Sequence, residues 1–213
     1  MKPKSVRNKN RFREKIEVTT GVDECGTGAL AGSVYAAAVI ITPKFDKMLL
    51  NRKGKIIESK TINKKRIPEV ARAIMDTCVY GIGEATNQEI DSLGIRKATE
   101  LAMTRALINL HSRTGRNVEE IVVDGKDAIE GQDCKQYVAV RGDSRFYCVA
   151  AASIIAKYHR DEYMRIVHVE YPAYNFFENK GYATADHILA LRTHGHSPLH
   201  RTTFNIVKNN GKK

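Results

Sequence analysis

Tryptophan is absent from the 213-residue chain and aromatic residues make up only 7% of it, so the core must be aliphatic. Cysteine is scarce: Cys25, Cys78, Cys134 and Cys148 stand far apart, with no CxxC pair. That spacing argues against a zinc site and fits thiols kept reduced in a cytosol. The longest apolar run, Val34–Ile41, falls well short of the roughly 20 residues that span a bilayer. No signal peptide or lipidation motif is visible. These absences lead us to expect a soluble, cytoplasmic protein with no membrane partner; a monomer is expected as well, though no residue pattern argues for it.

What the chain has in excess is positive charge. Lys and Arg total 35 against 24 acids, for a net charge of +11. Such a field favours a polyanion, because neutralising phosphates releases condensed counterions. A basic protein of unrelated function remains open on charge alone. The length fits one domain, with two small ones as the alternative. A chain of this size buries about 70% of its unfolded surface and needs no metal or disulfide to hold a core.

The cations are not evenly spread. Residues 1–15 contain Lys2, Lys4, Arg7, Lys9, Arg11, Arg13 and Lys15 with almost nothing apolar, which reads as a disordered basic arm. Lys208–Lys213 reads similarly. Between them the patterning predicts strands at Glu17–Glu24, Ser33–Thr42, Lys55–Ser59, Gly81–Ala85, Glu120–Asp124 and Tyr137–Val140. The first two, joined by a short glycine loop, are expected to be antiparallel. Helical spacing predicts a helix from Asn63 to Tyr80 with Pro68 in its first turn, and another opened by Asn87 or Asp91. That region continues over Ala98–His111, with Leu101, Ala102, Arg105 and Ile108 on one face. Val149–Val169 reads as a long helix with Ile154, Ile155, Tyr158, Tyr163 and Ile166 supplying apolar faces, and Thr184–Thr193 as a shorter one. The pattern suggests an α/β domain with a mixed sheet flanked by helices over residues 16–170, followed by a C-terminal helical subdomain and basic tail over 171–213.

Four acids stand where strands end: Asp23, Glu24, Asp124 and, after one turn, Asp143. A carboxylate beside an apolar strand is costly to bury unless it is paired, protonated or bound to a cation. If several converge, oxygen-only ligands select Mg²⁺ or Mn²⁺ over zinc. The alternative is a set of turn formers, or partners of nearby Lys and Arg. Gly26 and Gly28 around Thr27 let backbone approach a ligand, or simply make a tight turn.

Read in order, the segments GVDECGTGALAGSVYAAAVI, ESKTINKKRI, EIVVDG, RGDS, VAAASIIAKYHRDEYM and NKGYATADHILALRTHGHSPLHRTTF resemble the ribonuclease HII family over residues 20–204. The resemblance implies an RNase H-like fold with a five-stranded mixed sheet. It implies an endonuclease that hydrolyses the RNA strand of RNA–DNA hybrids and incises 5′ of ribonucleotides embedded in duplex DNA. Two Mg²⁺ or Mn²⁺ ions would assist, and the ends left would be a 5′-phosphate and a 3′-hydroxyl. It places the catalytic, metal-holding carboxylates on Asp23, Glu24, Asp124 and Asp143. Gly26, Thr27 and Gly28 fall where the family reads the ribose 2′-hydroxyl, Tyr182 where a tyrosine stacks beneath the sugar, and Lys60 where a lysine contacts phosphate.

For Asp161 the sequence suggests a structural role between Lys157 and Arg165; for His200 and Arg201, packing or phosphate contact. Three departures stand out: Thr27 replaces an arginine, Glu58 an aspartate and Ala183 a glycine. Losing the guanidinium at Thr27 bears on preference for a single ribonucleotide, since the related ribonuclease HIII loop can also read GTG. Against a ribonuclease HIII-like reading, only the short basic arm precedes the first expected strand. A non-catalytic nucleic-acid-binding protein is the alternative from another class, opposed by the intact carboxylate set.

Overall fold

The computed structural model describes residues 4–5, 19–52, 54–57, 59–115 and 117–210. The strands are β1 (Lys4–Ser5), β2 (Thr20–Cys25), β3 (Val34–Ile40), β4 (Asn51–Arg52), β5 (Lys55–Ile56), β6 (Val79–Ala85), β7 (Glu120–Asp124) and β8 (Lys135–Ala139). The α-helices are α1 (Ile67–Thr77), α2 (Asn87–Leu93), α3 (Ile95–Thr114), α4 (Tyr147–Glu170), α5 (Phe176–Asn179), α6 (Ala185–His194) and α7 (Asn205–Asn210). Five strands form the expected mixed sheet in the order β8-β7-β2-β3-β6, with two-residue β1 added beside β8. β3 runs antiparallel to β2 and β6, whereas β2, β7 and β8 are mutually parallel.

Strand alternation sorts the core into two layers. Ala36, Ala38, Ile121 and Val123 face α2 and α3, while Ala37 and Val39 face α1 and α4. The absent tryptophans are replaced by alanine and glycine, which bring helix and sheet close. A Cβ built on Gly83 would lie 2.1 Å from the Ala102 carbonyl oxygen of α3. A third cluster, of Leu30, Ala31, Met164, Tyr174, Phe176 and Leu191, joins the C-terminal helices to α4 and the glycine loop.

Several boundaries differ from the sequence reading. Asn63 does cap, but it caps a 3₁₀ turn at Lys64–Arg66; α1 starts at Ile67, and Tyr80 belongs to β6. The third expected strand shrinks to β5, which pairs with β4 away from the main sheet. On α3, Ala102 is buried and Leu101 packs against the core as the spacing suggests, but Ile108 is exposed, and Met103, Ala106, Leu107 and Leu110 are buried as well. Ile166 on α4 is likewise exposed. Lys208 lies in α7, where Val207 is buried. Apart from Lys4–Ser5, the basic arm lies outside the described residues, as does Glu58. Among the described residues no helix is long and apolar enough to cross a membrane.

Candidate active site

Strand order explains why acids distant in sequence become neighbours. Because β8, β7 and β2 are adjacent and parallel, their C-terminal ends share one edge of the sheet. That edge is where α/β folds place ligands. Asp23 and Glu24 lie in the C-terminal half of β2, just before Cys25 ends it, Asp124 closes β7, and β8 passes through Arg141, in the left-handed region at φ 56°, to Asp143 in a 3₁₀ turn. The Gly142 amide donates to Asp124 Oδ1 at 2.6 Å, locking that turn to the end of β7. All four carboxylates line one cleft of about 490 Å³, together with Gly26, Thr27, Gly28, Lys60, Lys157 and Tyr182. The cleft therefore brings together the four acids, the glycine loop, Lys60 and Tyr182, but not His200 or Arg201, for which the sequence also allowed a phosphate contact.

Asp23 is the most enclosed of the four, 4% exposed. Burial drives its pKa well above the ordinary carboxylate range, and the charges of Glu24 and Asp124 push the same way. Glu24 is also raised, first by burial and then by Asp124, with Lys60 opposing. Two serines support Asp23. The Ser153 hydroxyl on α4 donates to it, and Ser59 lies 2.8 Å from Ser153. With the Ser153 proton committed to the carboxylate, Ser59 must donate to Ser153. Sequence reasoning missed both serines, although each sits inside a quoted motif; a hydroxyl carries no signal until its partner is known.

The glycine loop is held from below by two buried guanidiniums. Arg201, fully buried, donates to the carbonyls of Gly26, Thr27 and Gly32. Arg160, also fully buried, donates to those of Ala31, Ser33 and Lys180. Gly26 is required: its φ is +96°, and a Cβ there would meet Arg160 Nε at 2.0 Å. Burial, then the neighbouring Arg160, lowers the Arg201 pKa to about 9. Arg201 thus braces the loop and is shut away from any phosphate. Asp161 pairs with Lys157 at 2.8 Å as expected, but Arg165 pairs with Glu162 instead.

Tyr182 is 38% exposed at the cleft wall. The Arg160 guanidinium lies 5.2 Å from its ring centroid, and its phenol, pushed up to about 12 chiefly by burial, contacts Cys25. The ring is therefore fixed on its inner side and open on its outer side.

The donor set fits a hard divalent cation: four carboxylates, no competing imidazole or thiolate cluster, and mutual repulsion that a cation would relieve. Among the described residues no group of three or more His, Cys, Asp or Glu already stands close enough to hold an ion. Mg²⁺ needs no such cage, since it commonly binds one or two carboxylates and completes its shell with water and substrate phosphate.

Comparison with known proteins assigns the family and the fold. The family described as Ribonuclease HII matches residues 20–207. A ribonuclease HII of Phocaeicola vulgatus is 40% identical over 196 residues, covering 92% of this chain and 93% of that protein. Among solved structures, the ribonuclease H2 of Pyrococcus horikoshii superposes with a TM-score of 0.71 at 21% identity, covering 90% and 96% of the two chains. Bst-RNase HIII, solved in complex with Mn²⁺, gives 0.72 at 21% identity, covering 90% of this chain and 68% of its own. At such identities the structural likeness speaks for the fold, while the sequence match assigns the family. The chain belongs to the ribonuclease HII family of RNase H-type endonucleases.

Proposed function

We propose that the protein hydrolyses the RNA strand of RNA–DNA hybrids and incises 5′ of ribonucleotides embedded in duplex DNA, leaving a 5′-phosphate and a 3′-hydroxyl. The observation that carries this reading is the single cleft in which four carboxylates face a glycine loop, a lysine and a half-exposed tyrosine. Asp23, Glu24, Asp124 and Asp143 would hold two Mg²⁺ or Mn²⁺ ions. When bound, such ions supply an activated water and charge neutralisation at the leaving oxygen.

The chain's own residues supply recognition. The Gly26-Thr27-Gly28 backbone, braced by Arg201, offers a rigid polar edge to a ribose 2′-hydroxyl. Lys60, exposed at the cleft rim, neutralises a phosphate. The open side of Tyr182 meets the next sugar, where a deoxyribose fits and a 2′-hydroxyl is crowded. Elsewhere the duplex is gripped through shape and phosphates by the basic surface.

Three labelled duplexes test this: one embedded ribonucleotide, a long hybrid and all DNA, each with Mn²⁺ and with EDTA. Cleavage of the first two in Mn²⁺ alone is expected. Cleavage of the all-DNA duplex, or any cleavage in EDTA, contradicts the reading. Cleavage of the long hybrid alone favours the ribonuclease HIII-like specificity that Thr27 suggests.

A further inference from the structure

Behind Tyr182 lies a pair of imidazoles that the cleft chemistry does not use. His187 and His200 are 0% and 1% exposed and face each other, Nε2 to Nε2, at 2.9 Å. Tyr174 and Phe176 wall them in, with ring centroids 4.8 Å from His200 and 5.5 Å from His187 respectively.

Their protons can be assigned from the two ends of the chain independently. At one end, the Ser197 amide donates to His200 Nδ1 at 2.9 Å, and the Ser197 hydroxyl lies 2.8 Å from the same nitrogen. A backbone N–H can only donate, so His200 Nδ1 is bare and a neutral His200 carries its proton on Nε2. At the other end, His187 Nδ1 lies 2.9 Å from the Tyr182 carbonyl, which also accepts from the Thr184 amide. A carbonyl can only accept, so His187 Nδ1 carries the proton and its Nε2 is bare. The two deductions meet: His200 Nε2–H donates to His187 Nε2. One further proton has no place to sit without facing another N–H. The lowered pKa values of both rings agree, each caused first by burial, with His200 brought to about 3.

We infer that His187 and His200 form a neutral hydrogen-bond relay of fixed direction, from Ser197 to the Tyr182 carbonyl, and act as positioning residues that set the tyrosine against the substrate sugar. This rests on the recognition role proposed for Tyr182. Arg160 beneath the ring and Cys25 at the phenol fix the side chain; the relay fixes the backbone that carries it.

Two measurements on the full-length protein test it. ¹⁵N NMR of the imidazoles at pH 7.5 reads the tautomers directly. Neutral rings with His200 protonated at Nε2 and His187 at Nδ1 are expected; the opposite tautomer in either ring, or a charged ring, overturns the relay. The second is a pair of substitutions. His187→Asn keeps an N–H near the Nδ1 position, whereas His187→Gln keeps an amide near Nε2 and loses the donor to Tyr182. His187→Gln is expected to lower kcat/KM on the single-ribonucleotide duplex roughly tenfold, the size of one hydrogen bond, and on the long hybrid by less than about twofold. His187→Asn should recover most of that loss. Equal losses on both substrates, or identical behaviour of the two variants, count against the positioning role. Tyr182→Ala, assayed alongside, separates the two ideas: if it spares the single-ribonucleotide duplex, the tyrosine reading fails, and the NMR result alone decides the relay.

Discussion

At the scale of single residues, two of the cleft acids, Asp23 and Glu24, oppose the stability of the fold that holds them. The folded pKa of Asp23 lies above its unfolded value, raised first by burial. Its favourable contribution is therefore complete below the unfolded value and lost as pH rises through the folded one. At neutral pH without a cation, ionised Asp23 is a cost. Asp23→Asn should consequently raise Tm in EDTA by about 2–4 °C, corresponding to ~1 kcal/mol in a chain of this size. It should also shrink the further rise that Mg²⁺ gives the wild type. A lower Tm for the variant in EDTA would mean that the carboxylate is satisfied without a metal. Asp124→Asn should cut hydrolysis on the order of 10³-fold, the equivalent of several kcal/mol of lost charge stabilisation. Steady-state cleavage of an RNA–DNA hybrid measures it, and near-normal turnover would remove Asp124 from the machinery. Arg201 teaches the converse. Its place beside His200 in the sequence allowed a phosphate contact, yet full burial commits its guanidinium to loop carbonyls.

At the scale of elements, the sequence was legible where periodicity is strong and partners are local. The EIVVD strand, the long α4 and the shorter α6 could be read because alternation and helical spacing act within one segment. The buried face of α3 could not. Its apolar side chains are scattered around the helix, and the side that packs is set by glycines on β6 that admit the backbone closely. The convergence of the four acids was also beyond local pattern, because it depends on β8, β7 and β2 being parallel neighbours. Only the family resemblance anticipated it. Gly83→Ala tests the close packing: its Cβ would strike the backbone of α3, which cannot yield as a flexible side chain does. A loss of about 1–3 kcal/mol in urea unfolding is expected; an unchanged midpoint would show that α3 has room to move.

At the scale of the whole molecule, the C-terminal helices serve the cleft without lining most of it. They supply Arg201 to the glycine loop, the His187–His200 pair behind Tyr182, and Tyr182 itself. Burying two neutral histidines also makes the fold acid-sensitive. Their folded pKa values are depressed, so the stability they allow is present above about 6.5 and is lost as pH falls below it. The raised pKa values of Asp23 and Glu24 shift stability in the opposite direction, so the comparison belongs in excess Mg²⁺, which keeps them ionised. Under that condition unfolding free energy should fall by about 1–3 kcal/mol between pH 7.5 and 5.5. A flat profile would mean that the imidazoles are solvated. The basic surface, the braced loop and the fixed tyrosine all have a purpose only if the clustered carboxylates attract cations once nucleic acid is present. Titration of Mn²⁺ into the protein with an uncleavable all-DNA duplex bound tests this most directly. Saturable binding is expected for the wild type, weakened at least about tenfold, or 1.4 kcal/mol, in Asp124→Asn. Equal affinity in the two proteins, or no binding in either, would contradict a metal-dependent cleft.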